Sequence, residues 1–264
     1  MKTILSIDWD YFIDATLDQR MEYFPDGGNE ELPDYLLFQI WVNRYASSLI
    51  HHNKYPESYN LRNCSTDSDE LNSLYGLLAE CTFNKKGPGI IVAESHKAIA
   101  ELIEDYDEPV NLINIDFHHD CFGVHKQDTS IDCGNWLQVL FQRGDIFRTT
   151  WVSRLDSQTS NCTGTIGIRR IIDTHITTID DIRPCHLDAI FVCRSGTWSP
   201  PHLDDNFIEM VLKLNQIANL DSIVVEAQLN ALCIRWSEQM DDMIKSYAAT
   251  QLSMLENMRG ELNA

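Results

Sequence analysis

Asp116, His118 and Asp120 are the residues whose types and spacing point most directly to chemistry. They occupy alternate positions in the run Asn114-Ile115-Asp116-Phe117-His118-His119-Asp120, after an apolar stretch. Two carboxylates and an imidazole leaving the end of a buried strand offer hard oxygen and borderline nitrogen donors to one divalent ion or a pair. A plain polar turn needs neither two histidines nor two aspartates after a run of core residues. A second apolar stretch, Thr3 to Ile7, ends in Asp8-Trp9-Asp10, and carboxylates at the end of a buried strand are costly unless a cation or donors compensate them. A third, Ile90 to Ala93, runs into Glu94-Ser95-His96, placing His96 where a strand gives way to the helical pattern Lys97 to Tyr106. The candidate ligands are therefore Asp8, Asp10, His96, Asp116, His118 and Asp120.

A set of nitrogen and oxygen donors with no thiolate favours a pair of manganese-type divalent ions over a single zinc, bridged by Asp116 and one acid of the Asp8/Asp10 pair. Two such ions, roughly 3.5–4 Å apart, can share a hydroxide and make a nucleophile at neutral pH, so the expected activity is hydrolysis. His119 and His125 are candidates for carrying a proton to a leaving amine, because an imidazole titrates near neutrality. The segment Arg194-Ser195-Gly196-Thr197-Trp198-Ser199-Pro200-Pro201 follows the apolar run Asp188 to Cys193, and its prolines favour an extended loop. It reads as a pocket wall in which Arg194 contacts a substrate carboxylate or carbonyl. Cys121 and Cys133, near these motifs, read as small buried hydrophobes.

Positioning these groups falls to short, nearly continuous apolar runs rich in β-branched residues: TILSID, GIIVAE, NLINID, RTTWVS, DAIFVC and SIVVEA. Such runs read as buried parallel strands. Amphipathic helical patterns lie between them, over Tyr35 to Ile50, Glu70 to Cys81, His96 to Tyr106, Asn135 to Arg143, Phe207 to Ala218 and Ser237 to about Asn263. Alternation of this kind predicts an α/β fold, a single domain over residues 1–264 with a doubly wound, mostly parallel sheet flanked by helices. The polar segments Pro56 to Asp69 and Asp156 to Gly164 read as loops. Neither GxGxxG nor GxxxxGK[ST] occurs, which removes the nucleotide-binding default for this architecture.

A net charge of −20 over 264 residues argues against nucleic acid or an anionic membrane as a partner, since both demand a basic footprint, and is compatible with a cationic ligand. The eight cysteines form no CxxC pair, and in a chain without a signal-peptide pattern they read as reduced thiols. No apolar run is long enough to span a bilayer, so the expected location is cytoplasmic. The amphipathic C-terminal pattern, with Met240, Met243, Leu252 and Leu255, could pack on its own domain or support a homodimer.

Glu94-Ser95-His96, Asp116-Phe117-His118-His119-Asp120, Gly134-Asn135-Trp136-Leu137 and Ser6-Ile7-Asp8-Trp9-Asp10-Tyr11-Phe12 together resemble the arginase/deacetylase superfamily, and within it the branch that includes the peptide arginases. That resemblance implies hydrolysis of arginine side chains in a ribosomally made precursor peptide, giving ornithine and urea, with two manganese ions as cofactors. It implies that His96, Asp116 and Asp120 hold one ion and Asp116, His118 and Asp10 the other, with Asp8 bridging. It further implies that Glu226, after Ser222-Ile223-Val224-Val225, holds the guanidinium, and that Asn135 and Trp136 lie near the substrate. The Asp-x-Asp motif comes first in this chain, so the fold is expected to be circularly permuted relative to arginase, with the first strand inserted beside that of Asp116. Alternative activities are a ureohydrolase or amidohydrolase acting on free arginine, agmatine or an acylated amine, and a non-catalytic member that binds metal or peptide.

Overall fold

The computed structural model describes residues 1–24, 32–56, 58–87, 89–122, 130–157, 168–220, 225, 228–229 and 236–262. Its strands are β1 (Thr3–Asp8), β2 (Ile13–Asp14), β3 (Ser65–Thr66), β4 (Thr82–Phe83), β5 (Gly89–Ala93), β6 (Val110–Ile115), β7 (Ile146–Val152), β8 (Thr174–Ile176), β9 (His186–Leu187) and β10 (Ala189–Cys193). Its helices are α1 (Leu17–Tyr23), α2 (Asp34–Lys54), α3 (Ser68–Glu80), α4 (Ile99–Glu104), α5 (Trp136–Arg143), α6 (Ile168–Ile171), α7 (Asp204–Ala218) and α8 (Glu238–Leu262).

Six strands form one parallel sheet in the order β5-β10-β1-β6-β7-β8, and β2/β3 and β4/β9 make two short ribbons beside it. The architecture is the α/β sheet expected from the alternation of apolar runs and helical patterns. Strands β1 and β10 are buried along nearly their whole length, as strands covered on both faces must be, whereas β5 at the edge alternates. Period-two alternation divides the core. Leu5, Ile7, Ile90, Val92, Ile115, Ile190 and Val192 face one layer with α2, α3, α7 and α8. Ile4, Val110, Leu112, Ala189, Phe191 and Cys193 face the other with α4, α5 and α6.

Strand β1 pairs in parallel with both β10 and β6, so the N-terminal strand lies beside that of Asp116, as its motif required. Because all six strands run the same way, Asp8, Cys193, Asp116 and the segment Glu94 to His96 leave the sheet at one edge. That is where open α/β sheets present ligand-binding groups. Helix α8 packs along α2, burying Met240, Ile244 and Ala248 in the chain's own core.

Two expectations need correction. Val225 is helical and not extended, and the rest of the run SIVVEA lies outside the described residues. The sixth strand is β8, three residues long, whose Thr-His-Ile sequence is too short to register as a period. Within Pro56 to Asp69, a 3-10 turn at Leu61–Asn63 and strand β3 replace a structureless loop, and α3 begins at Ser68. Among the described residues, no helix is long and apolar enough to cross a membrane.

Candidate metal centre

Strand β1 ends on Asp8, whose carboxylate Oδ1 accepts the Asp10 N–H at 3.1 Å and starts the 3-10 turn Trp9–Phe12. The turn carries Asp10 inward, where it is fully buried. Asp116 follows β6 directly. Its Oδ1 accepts the His118 N–H at 2.8 Å, which bends the chain so that the two side chains return to the same edge. Asp120 has φ of 49°, a left-handed conformation that aspartate tolerates better than most residues. His96 opens the 3-10 turn His96–Ala98 after β5, with its ring stacked on Phe191 and tilted against Trp136.

These elements converge on two groups that share a residue. Ligand atoms of Asp10, Asp116 and His118 lie within 4.8 Å of one another, and so do those of His96, Asp116 and Asp120. His96 Nδ1 stands 3.2 Å from Asp8 Oδ2, 3.3 Å from Asp116 Oδ2 and 3.1 Å from Asp120 Oδ2. His118 Nδ1 is 3.2 Å from Asp10 Oδ2. Asp8 forms a further group with His96 and Cys193, so it sits on the His96 side of the cluster. All six residues singled out in the sequence are therefore brought together.

The cluster is buried and acidic. Asp8, Asp10, Asp116 and Asp120 are each at most 4% exposed. Burial, reinforced by neighbouring acids, pushes Asp8 up to about 6 and Asp116 up to about 7. Burial opposes charge on His118 too, but Asp10 outweighs it and lifts the imidazole to about 9. Burial would also raise Asp10, yet the His118 charge keeps it below the usual carboxylate range. Asp10 Oδ1 meets no hydrogen-bond donor among the described residues. Four buried carboxylates, one with an orphaned oxygen, match the formal charge of two divalent ions, so the donor set fits such a pair.

A surrounding layer of side chains orients these groups. Ser6 Oγ lies 2.7 Å from His96 Nε2, leaving Nδ1 to face the carboxylates. Trp136 Nε1 donates to Asp120 Oδ2, Asn114 Nδ2 to Asp116 Oδ2 at 3.2 Å, and Ser195 Oγ to Asp8 Oδ2 at 2.6 Å. The Arg20 guanidinium is buried above the Phe117 ring, 3.9 Å from its centroid, and donates to the Asp10 and Ile13 carbonyls. Sequence reasoning missed Ser6, Arg20 and Ser195. For Ser6 and Ser195 the only signal was a polar residue inside or just after an apolar strand, and Arg20, in α1, carried none.

Other candidates fall differently. Arg194 is fully buried, with Nε and Nη2 on Asp204 and Nη1 on Glu94 at 2.7 Å, so it braces the loop from within and is not a substrate contact. Trp136 is likewise buried and acts on Asp120. Asn135 spends its amide on Ser130 and Asp132, closing its own loop. His119 accepts the Cys121 N–H, packs on Phe122 and Trp151, and is held neutral, near 4, by burial and by His118. His125 and Glu226 lie outside the described residues.

Comparison with family models, with curated proteins and with solved structures returned no match.

Two predictions follow from this geometry. Ser6→Ala should weaken divalent-metal affinity about 10- to 100-fold with the circular dichroism spectrum unchanged, since losing a group that orients a metal-bound histidine typically has that effect. A calorimetric titration giving wild-type affinity would remove Ser6 from the site. The second concerns pH. Asp8, Asp116 and His118 all have folded values above their ordinary ones, so their contribution to stability is present at low pH and lost as pH rises through about 6, 7 and 9. Asp10 and His119 act oppositely, Asp10 near and below its ordinary 3.8 and His119 only between about 4 and its ordinary 6.5, where one group is outweighed by the three raised ones. The melting temperature of metal-free protein should thus fall between pH 5 and pH 9, and manganese should restore it most at the alkaline end. A metal-free melting temperature that rises over this interval contradicts the assignment.

Proposed function

We propose that this chain is a metal-dependent hydrolase that cleaves the guanidino group of arginine side chains in a precursor peptide, releasing urea and leaving ornithine. The observation that carries the reading is Asp116 shared between two ligand groups, Asp10/Asp116/His118 and His96/Asp116/Asp120, the arrangement a bridged ion pair requires. When bound, such ions, with manganese the expected identity, polarise water at neutral pH and neutralise developing negative charge.

The chain's own residues supply the rest. Asp8, Asp10, Asp116, Asp120, His96 and His118 would hold the ions, and the surrounding donors fix their carboxylates. A cationic substrate group is favoured by Glu94, which leaves β5 one strand from β1. Its backbone carbonyl accepts the Ser195 N–H at 3.1 Å, and Ser195 in turn donates to Asp8. Glu94 and Asp204 both pair with the guanidinium of Arg194. Glu94 Oε2 is buried without a hydrogen-bond donor among the described residues, and burial pushes the carboxyl up to about 7. A planar substrate cation would satisfy that oxygen. Glu94 is thus a described alternative to Glu226 for this role. His119, held neutral by burial and by His118, would need to gain a proton before donating to the departing amine, and its surroundings oppose that gain. That the arginine belongs to a peptide rests on the resemblance of the motifs.

The direct test is metal analysis beside a urea assay on an arginine-rich precursor peptide. Wild type should carry about two manganese equivalents per chain and release urea, with free arginine a poor substrate, while Asp116→Ala should lose both metal and activity. Full metal occupancy with no urea from any arginine-bearing peptide would sink the reading, and one zinc with release of an acyl group would replace it by a deacylase. Glu94→Gln should keep its metal and lose roughly 10- to 100-fold in kcat/KM, the scale of one charge-assisted hydrogen bond. Unchanged kinetics would return the role to Glu226.

A further inference from the structure

Away from the carboxylate cluster, two cysteines meet. Cys81 closes the C-terminus of α3 and Cys185 precedes β9. The ribbon β4/β9 is parallel with Thr82 opposite His186, so Cys81 and Cys185 occupy the preceding matched positions. The Thr82 N–H donates to the Cys185 carbonyl at 3.1 Å, carrying the pairing one residue back, and Cys185 N lies 3.5 Å from Cys81 Sγ. Neighbouring strands stand about 4.7–4.9 Å apart, within the roughly 4.4–6.8 Å between Cα atoms that a disulfide spans. Both residues are half-buried, so a small oxidant can reach them.

We propose that Cys81 and Cys185 form a reversible disulfide in the folded protein, a modification site separate from the metal centre. The oxidant is a low-molecular-weight disulfide such as oxidised glutathione. The Cys81 thiolate attacks it, forming a mixed disulfide and releasing one glutathione. Cys185 sulfur then displaces the second glutathione and gives up its proton, so two protein thiols become one S–S bond while one small disulfide becomes two thiols. Burial and the adjacent Cys81 push the Cys185 thiol up to about 11, which makes it a poor group to start the exchange.

The topology says what the bond would do. Strand β4 leads into β5 and β9 into β10, and these two are paired in the central sheet, Gly89 against Ala189. A Cys81–Cys185 bond would therefore staple the entry ends of the two strands whose exit ends carry Glu94 and Arg194. Five residues of strand, about 16 Å, separate those ends, so the bond should stabilise the fold without disturbing the metal ligands.

The test equilibrates full-length protein in glutathione buffers of increasing oxidation, traps free thiols with N-ethylmaleimide, and maps linked peptides by mass spectrometry without reduction. The expected result is a Cys81–Cys185 peptide and a mass loss of about 2 Da. The melting temperature should rise by roughly 5–10 °C, with all changes reversed by dithiothreitol and metal content constant. Cys81→Ser and Cys185→Ser should each abolish the link and the thermal shift, while Cys64→Ser should retain both. Quantitative alkylation of Cys81 and Cys185 in the folded wild type at the most oxidising ratio would overturn the proposal. So would a link that forms only in urea.

Discussion

Removing four carboxylates from water at the end of one apolar sheet is the constraint on which the rest of the molecule depends. Isolated, each would be driven to take up a proton, and the upward shifts of Asp8 and Asp116 express that pressure. The fold answers with directed donors: a backbone N–H and a serine hydroxyl for Asp8, a backbone N–H and an asparagine amide for Asp116, an indole N–H for Asp120. Each donor also fixes the angle at which its carboxylate meets the centre. Donors of this kind orient charge without cancelling it. His96 and His118 can cancel part of it by protonation, and on the proposed reading divalent cations would take over that role, with both imidazoles neutral as ligands.

Close approach of β5 and β10 beyond their last paired residues is the second requirement. A Cβ on Gly196 would lie 1.8 Å from Glu94 Oε1, so no other residue fits unless the Glu94–Arg194 pair gives way. Ser195 has φ of 50°, a conformation costing roughly 1–2 kcal/mol outside glycine, and its hydroxyl thereby reaches Asp8. The buried Arg194 fork on Asp204 and Glu94 ties this strained loop to α7 and β5 together. The loop thereby holds Ser195 against Asp8.

Much of this was legible in the sequence, for identifiable reasons. Alternate polar positions after a continuous apolar run, as at Asp116/His118/Asp120 and Asp8/Asp10, have few explanations other than convergence at a strand end. The unbroken burial of β1 likewise followed from a run with no exposed face. Glu94 was hidden because it is one of forty acidic residues and its partner lies 100 positions away. Arg194 looked like a substrate arm because charge beside a Pro-Pro loop suggests an accessible wall, and nothing local reveals that Asp204 swallows it. Ser6 looked like strand filler. Val225 misled because a β-branched residue fits a buried helix as well as a strand when neighbours supply the packing.

Exposure around the centre sets the direction from which a substrate can come. The His118 side chain is 25% exposed, whereas those of Asp8, Asp10, Asp116, Asp120 and His96 are at most 6%. Beside it, half-buried Trp198 tilts against the imidazole with ring centroids 5.2 Å apart. Among the described residues Trp136 and Phe191 pack over the His96 side, and on the proposed reading a substrate would enter past His118 and Trp198. A long side chain with a planar cationic tip could cross that distance while its backbone stayed in solvent, with the indole of Trp198 available to its apolar stem or cation. On the proposed reading, the exposed side at His118 and the Glu94 oxygen that meets no donor among the described residues favour the same substrate, a guanidino group carried on a flexible arm.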